Sequence, residues 1–498
     1  MKKLFHFKHY SKTSSSIINN ELVRTRFAPS PTGFLHLGSL RTALYNYLLA
    51  KSSSNGRFIL RIEDTDQKRL VKGAEQNIID CLKWCNFNID EGPYGIGGKF
   101  GPYKQSERKD IYIKYANQLL NLGLAYKCFC SKERLQDLKS SAKLLKPPTN
   151  VTYDRKCYNL KNINHDSNNF VIRFKSPDSY PSFYDELHGN LNLQPQYNYK
   201  DRRFDDFIII KNDGMPTYHF ANIIDDHLMK ITHVIRGEEW LPSTSKHLAL
   251  YKAFNWQPPK FIHIPLLTSL NDKKLSKRSG DLNLNILNLK NQGILPEALI
   301  NFVSLFGWSP SRKLGEKFNE MMNMNQLIEF FDLKNLTKGN AKVNNLKLFY
   351  FNKLHLQKKF KDDFNQVVDE CYPIFKEIVG SKKDKEYLIK LLIYLDGNLN
   401  NLNEVYHHLN YLINDINYSS LKIPNKDVKE IIKYTLDNGI EKSLINSNFK
   451  KKDIFMSLRF ALSGNQPGLT IPQLLDLLDK KEIDNRLQST FSYLNSCT

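Results

Sequence analysis

A chain of 498 residues is too long for one ordinary core, and with 41% apolar residues it can build about three domains. No run of about 18 apolar residues occurs, so no membrane-spanning helix and no membrane insertion are expected. The net charge of +21, from 72 Lys and Arg against 51 Asp and Glu, suits a polyanion such as nucleic acid. Part of that charge is compositional drift toward Lys and Asn, visible at 283–291 and 382–385. Seven scattered cysteines do not form the framework of a small secreted domain, and a reducing compartment fits better. The first 20 residues carry Lys2, Lys3, Lys8 and Lys12, several Ser and Thr, and no acidic residue before Glu21. That texture is of the organelle-transit kind, with Lys in place of the usual Arg, and points to the mitochondrial matrix. A disordered tail on a cytoplasmic protein is the alternative.

From Leu22 the pattern becomes regular. Val23, Thr25 and Phe27 alternate with Arg24 and Arg26 as in a half-buried strand. A Pro/Gly-rich turn follows, and from Ser39 a helix is predicted with Leu40, Ala43, Leu44, Tyr47 and Leu48 on one face. Residues 58–62 form a second strand, and a second helix runs from about Gly73 through Leu82. Strand, turn and helix in alternation argue for an α/β domain with a parallel sheet. Residues 126–206, broken by Asn, Pro and Asp clusters and holding three cysteines, read as a smaller α+β insertion. The apolar run 207–211 before Asn212-Asp213-Gly214 reads as a return to a buried strand. From Pro296 onward the pattern is helical without a convincing strand, with amphipathic segments at 386–396 and 472–478.

Two clusters carry the chemistry. The turn after the first strand holds Pro29, Pro31, Gly33 and Gly38, with His36 between the last two. A helix starting just after a strand offers free N–H groups and a positive dipole end to a phosphate. Gly38 lets a nucleotide approach the backbone, and His36 supplies a donor. Far downstream, Lys273, Lys274, Lys277 and Arg278 surround Leu275 and Ser276, an electrostatic clamp suited to a pyrophosphate leaving group. Alone, the first is a structural turn and the second a solvated surface run.

Taken together, His36-Leu-Gly-Ser39 and Lys274-Leu-Ser-Lys-Arg278 resemble the two signatures of class I aminoacyl-tRNA synthetases. Arg26-Phe-Ala-Pro-Ser-Pro-Thr-Gly33, Arg61-Ile-Glu-Asp-Thr-Asp66, Gly101-Pro-Tyr-Lys-Gln-Ser-Glu-Arg108, Thr217-Tyr-His-Phe-Ala-Asn222, Asp225-Asp-His227 and Ile235-Arg-Gly-Glu-Glu-Trp240 are similar to glutamyl-tRNA synthetases of the bacterial and organellar type. The resemblance covers residues 23–310 closely and the helical remainder more loosely. It implies a Rossmann-type parallel-sheet catalytic domain with an α+β insertion, followed by an all-helical C-terminal anticodon-binding region. The implied boundaries are a leader at 1–20, catalytic halves at 21–125 and 207–272, and an acceptor-stem insertion at 126–206. A signature-loop and stem-contact region at 273–335 and an anticodon domain at 336–498 complete them.

By the same resemblance Arg26, Ala28, Ser30, Glu63, Tyr218, Asn222 and Arg236 would line a glutamate pocket, with Glu63 on the α-amino group. The chemistry agrees: a substrate with two carboxylates and one ammonium calls for fixed guanidiniums and a counter-carboxylate. The competing role for Arg26 and Arg236 is a structural ion-pair network with Glu63 or Glu238. ATP would be held by His36, Gly38, Glu239, Lys274, Leu275, Ser276, Lys277 and Arg278, with His36, Lys274 and Lys277 serving catalysis. Mg²⁺ would accompany the triphosphate. Cys128, Cys130, Tyr153 and Cys157 resemble a zinc set found in some bacterial members, and a Zn²⁺ site and three reduced thiols both stay open.

The implied partners are L-glutamate, tRNA(Glu) and also tRNA(Gln), bound by a monomer, with Lys334, Lys338, Lys342, Lys347 and Lys353 as phosphate contacts. Leu458-Arg-Phe-Ala-Leu-Ser-Gly464 resembles a motif of the family's anticodon domain. Three rival readings exist. A glutaminyl enzyme would carry Pro-Glu-Pro-Asn-Gly where this chain has Pro29-Ser-Pro-Thr-Gly33, and β-barrels where this chain is helical. A related nucleotidyltransferase would not need the length, and a non-catalytic paralogue would have lost one of the two signatures.

Overall fold

Arg24–Phe27 and Arg57–Leu60 form β1 and β2, paired in parallel with Phe27 opposite Leu60. The ladder runs on beyond the strands, since Arg61 N–H donates to Phe27 O and Glu63 N–H to Pro29 O, each at 3.0 Å. This extension carries Arg26 and Glu63 to the same end of the layer. The computed structural model describes residues 22–159, 169–198, 200–268, 285–311, 320–445 and 448–497. The N-terminal leader and the Lys274 to Arg278 signature lie outside the described residues.

Helix α1, Leu37–Lys51, connects β1 to β2. It differs from the one-faced helix expected, because Arg41, Tyr45 and Asn46 are buried along with the apolar stripe. Two layers cover it. On one side Asn46 Nδ2 donates to Ile235 O (3.0 Å), and on the other Tyr45 OH donates to Phe306 O (2.7 Å). Helices α2, Ala74–Trp84, and α3, Lys109–Asn121, follow.

The next strands sort into two sheets. β3 (Ala125–Cys128), β4 (Val171–Phe174) and β7 (Ile208–Ile210) form an antiparallel sheet in the order β3-β4-β7. Helices α4, Lys132–Leu144, and α5, Lys156–Asn159, lie between β3 and β4 in the chain. β5 (Phe183–Asp185) and β6 (Gly189–Leu191) join β8 (His233–Gly237) and β9 (Lys260–Ile264) in the order β6-β5-β9-β8. Within it β5–β9 and β8–β9 are parallel and β5–β6 antiparallel. β1 lies beside β8, with Thr232 N–H donating to Arg24 O at 2.9 Å.

The strands of 126–211 divide between these two sheets. In the stretch 126–206, expected as a smaller α+β insertion, β3 and β4 pair with β7, while Phe183 packs with Ile59, Val234 and Phe261 and β5 pairs with β9. Within the run 207–211 the expected strand forms as β7, Ile208–Ile210, and it pairs antiparallel with β4.

Helices α6 (Tyr218–Leu228) and α7 (Leu241–Ala253) flank β8 in the chain. Beyond β9 come β10 (Leu267–Thr268), α8 (Ile286–Asn291), α9 (Pro296–Ser304), α10 (Met324–Phe330) and β11 (Ala341–Lys342). β11 pairs in parallel with β10, a two-residue strand in a region expected to be helical throughout. The described residues within 22–288 and 300–344 form one packing unit, and those within 289–299 and 345–497 another.

The second unit continues helically through α11 (Asn345–Asp362), α12 (Phe364–Val379), α13 (Lys385–Leu395), α14 (Asn403–Ile413) and α15 (Val428–Asn438). It ends in α16 (Ile440–Ile445), α17 (Lys451–Ser463), α18 (Ile471–Leu477) and α19 (Lys480–Ser496). Buried Arg486 on α19 ties three helices, donating to Tyr411 O (2.9 Å) and Leu412 O (2.9 Å) of α14 and Leu462 O (2.6 Å) of α17. A guanidinium at two helix C-termini satisfies orphan carbonyls and complements the dipoles. Gly464 closes α17 at φ 63°, the left-handed turn that favours glycine. Among the described residues no helix is long and apolar enough to cross a membrane.

Candidate active site

The ends of β1, β2 and β8, the loop after β1, and the start of α6 surround a cleft of about 800 Å³. Arg26, Ala28, Ser30, Glu63, Tyr218, Asn222, Arg236 and Glu239 all line it, so the residues singled out for glutamate share one wall system. The cleft extends to a polar rim with Thr65, Asp66, Lys68, Arg69, Lys211 and Asp213.

Behind that wall three guanidiniums and three carboxylates interlock. Arg26 Nε donates to Asp226 Oδ1 at 3.1 Å, and Arg61 bridges Asp226 Oδ1 (2.7 Å) and Glu63 Oε1 (3.0 Å). Arg108 Nε donates to Asp225 Oδ1 at 2.7 Å, while Gln105 and Tyr112 each donate to Asp225 Oδ2 at 2.8 Å. All six charged side chains are buried. Burial pushes the Glu63 carboxyl above its ordinary value, against the pull of Arg61 and Arg26. Burial acts the same way on Asp226, but there Arg26 and Arg61 prevail and hold it below the usual range. Arg26 spends only its Nε on Asp226. Glu63 also accepts from Asn222 Nδ2 at 3.3 Å. The predicted anion holder and ammonium holder are therefore pre-positioned by Arg61 and Asp226, to which sequence reasoning assigned no role.

Arg236 differs from its neighbours in kind. It is 5% exposed, yet each of its hydrogen-bond acceptors among the described residues is neutral. Nε donates to His263 Nε2 (3.0 Å), Nη1 to Tyr218 OH and His247 Nδ1 (both 3.2 Å), and Nη2 to Thr244 Oγ1 (2.8 Å). A guanidinium has no acceptor, so its donations fix the imidazole tautomers. His263 must carry its proton on Nδ1, which donates to Asp185 Oδ2 at 2.7 Å. His247 carries its own on Nε2, facing His219 Nδ1 at 3.1 Å. Burial agrees, lowering the His263 and His219 pKa values each to about 4 and holding that of His247 well below its ordinary value. Arg236 is thus a buried cation on the cleft wall with no carboxylate among its hydrogen-bond acceptors in the described residues.

His36 caps α1: its Nδ1 accepts from Ser39 N–H at 3.3 Å, and its Nε2 lies 3.1 Å from Ser39 Oγ. Ser39 and Thr42, one turn further, face the cleft. Gly38 has a local reason to be glycine, because a Cβ there would meet the His36 ring at 3.3 Å. A Cβ at Gly237 would likewise run into the carboxylate of Glu239, which is exposed on the cleft wall. Trp240 packs against Tyr218 at 4.1 Å between centroids.

A second constellation sits at β3 and α5. The sulfur atoms of Cys128, Cys130 and Cys157 lie within 4.8 Å of one another. Tyr153 OH is 3.3 Å from Cys128 Sγ and 3.5 Å from Cys130 Sγ, and Cys130 and Cys157 sulfurs are 3.5 Å apart. A tetrahedral zinc with Zn–S of about 2.3 Å needs sulfur ligands about 3.8 Å apart, close to this spacing. Cys81, Cys85, Cys371 and Cys497 lie elsewhere and are not in disulfides.

Residues 22–349 match the family of tRNA synthetases class I (E and Q), catalytic domain, and residues 426–491 match an anticodon binding domain. Fold and cleft thus define a class I aminoacyl-tRNA synthetase. The chain is 49% identical to the mitochondrial glutamate–tRNA ligase of Saccharomyces cerevisiae, over 95% of this chain and 91% of that one. It is 40% identical to the glutamate–tRNA ligase of Clostridium botulinum, over 94% and 97%. A crystal structure of a glutamate tRNA ligase from Elizabethkingia meningosepticum in complex with its amino acid superposes with a TM-score of 0.78 at 32% identity, covering 95% and 99% of the two chains. The chain belongs to the glutamate–tRNA ligase family.

Proposed function

We infer that the protein is an ATP-dependent glutamate–tRNA ligase that forms glutamyl-tRNA(Glu) through a glutamyl-adenylate. The observation that carries the substrate is Arg236, a buried cation ringed by neutral partners, on the same cleft as Glu63 and Arg26. Glu63 takes the substrate ammonium, and Arg26 and Arg236 take its carboxylates. Ala28, Ser30, Tyr218 and Asn222 shape the pocket between them. ATP lies against the start of α1, with His36, Gly38, Glu239 and the loop of Lys274, Leu275, Ser276, Lys277 and Arg278 as its contacts. The glutamate α-carboxylate oxygen attacks the α-phosphorus and pyrophosphate leaves. A ribose hydroxyl at the tRNA 3′ end then attacks the acyl carbon and AMP departs. No side chain acts as nucleophile, so catalysis rests on positioning and charge stabilisation. Mg²⁺ would accompany the triphosphate and would supply charge neutralisation there.

Glutamate-dependent exchange of pyrophosphate into ATP, strengthened by tRNA, is the direct test. Lys277→Ala is expected to reduce it by about 100-fold, the scale for one cationic contact to a leaving group. Exchange supported by glutamine instead of glutamate, or an unaffected variant, overturns the assignment. The reading extends to a monomer in the mitochondrial matrix that also charges tRNA(Gln). Fungal relatives named as mitochondrial support the compartment, and charging of separate tRNA(Glu) and tRNA(Gln) transcripts decides the second substrate. Lys334, Lys338 and Lys342 are exposed, as phosphate contacts require, while Lys347 and Lys353 are half-buried.

The spacing of Cys128, Cys130, Tyr153 and Cys157 fits zinc, which would tie β3 to α5 and brace that sheet. One zinc per purified chain is expected by mass spectrometry, and its loss in Cys157→Ser. Absence of stoichiometric zinc decides for reduced thiols.

A further inference from the structure

We propose that Asp185 and His263 form a positioning pair that holds Arg236 through a neutral imidazole, keeping the carboxylate one ring away from the guanidinium so that Asp185 does not compete with a substrate anion for it. The inference rests on the reading of Arg236 as a carboxylate receptor. Its basis is a contrast within one wall. Arg26, Arg61 and Arg108 each touch a carboxylate directly, at 3.1, 2.7 and 2.7 Å. Arg236 does not, although Asp185 is fully buried in the same layer. Between them stands His263, also fully buried, with Nε2 accepting from Arg236 and Nδ1–H donating to Asp185.

The backbone fixes Asp185 in turn. Its Oδ1 accepts from Leu187 N–H (3.0 Å) and His188 N–H (2.9 Å), and its Oδ2 from His263 N–H (3.2 Å) as well as the ring. Every carboxylate lone pair that reaches the ring is thus oriented, so the Nδ1–H tautomer is imposed rather than chosen. That tautomer is the one that leaves an acceptor for Arg236. His188 Nε2 donates to the His263 carbonyl at 3.0 Å and completes the brace. A carboxylate placed where His263 stands would pair with Arg236 and compete with the substrate. A neutral acceptor supplies direction without that competition.

Asp185→Asn disturbs this without changing shape. Oδ1 is committed to two backbone N–H groups, so the Asn amide nitrogen must face the ring and the His263 N–H. The ring then turns to the Nε2–H tautomer and presents a donor to Arg236. We expect KM for glutamate in the exchange reaction to rise roughly 10- to 100-fold, the scale of a lost hydrogen bond to a charged group. KM for ATP stays within about twofold of wild type, since Arg236 is the one residue assigned to substrate that the pair hydrogen-bonds among the described residues. His263→Gln, whose amide oxygen falls near the Nε2 position, retains most of the glutamate affinity, and His263→Leu loses it as Asp185→Asn does. In the ¹⁵N spectrum of histidine-labelled protein, the signals removed by His263→Gln report a protonated Nδ1 and a bare Nε2 at neutral pH.

Equal rises in both KM values, a His263→Gln enzyme as impaired as His263→Leu, or a His263 ring protonated on Nε2, each overturns the proposal. Should Asp185→Asn not fold, the His263 pair and the spectrum decide alone. A wild-type enzyme with no glutamate-dependent exchange would instead overturn the functional reading, so the two failures are distinct.

Discussion

Arg236→Gln is expected to lower kcat/KM for glutamate in pyrophosphate exchange by roughly two to nearly four orders of magnitude. The figure follows from about 3 to 5 kcal/mol for stripping one partner from a buried charge pair, at about 1.4 kcal/mol per decade. Arg236 is 5% exposed, so a substrate carboxylate that enters beside it has little water to fall back on. Gln can reach Thr244 or Tyr218 but carries no charge, and the carboxylate is left desolvated and unpaired. Arg236→Lys is expected to fare nearly as badly. An ammonium cannot serve His263, His247, Tyr218 and Thr244 together, which the planar fork does with three nitrogens. Steady-state exchange at varied glutamate and saturating ATP reads the loss. A Gln variant with wild-type kcat/KM would remove Arg236 from the glutamate pocket.

How much of this was legible beforehand depended on sequence distance. Arg26 ends a strand whose two-residue alternation is visible, and Pro29 to Gly38 follow it directly, so the turn and its chemistry can be read together. Glu63, Tyr218, Asn222 and Arg236 sit in recognisable strings and all reach the cleft. Arg61, Asp225 and Asp226 lie in the same strings, but nothing in their spacing says that Arg61 and Asp226 meet across 165 positions. The Asp185–His263 contact spans 78 positions between strands too short for any periodicity to register. β5 is invisible for that reason, and with it the entry of residues 183–191 into the main layer. Helix α1 shows one apolar face in its spacing, while burial on its second side comes from residues 304–306, far downstream. Arg486 reads as one more solvated charge on a polar helix, and only the convergence of α14 and α17 turns it into a buried cap.

Asp225→Ala should destabilise the first unit by about 3 to 5 kcal/mol, the usual cost of leaving one member of a buried pair alone. That is a large share of the roughly 5 to 15 kcal/mol a domain commands. Asp225 is fully buried and accepts from Arg108, Gln105 and Tyr112 at 2.7 to 2.8 Å. Alanine leaves those donors facing a cavity. Arg108, 2% exposed, then keeps only the carbonyls of Phe100 (3.2 Å) and Pro102 (2.9 Å) for a full charge. Adding Arg108→Met removes the stranded cation, so the double variant should be more stable than Asp225→Ala alone, a strongly non-additive result. The four tryptophans, Trp84, Trp240, Trp256 and Trp308, all belong to the first unit. Their fluorescence during urea unfolding therefore reports this unit and not the helical one. If the double variant is instead the sum of the two single losses, Asp225 and Arg108 do not act as a pair. The ion cluster behind Glu63 would then owe its stability to packing rather than to charge.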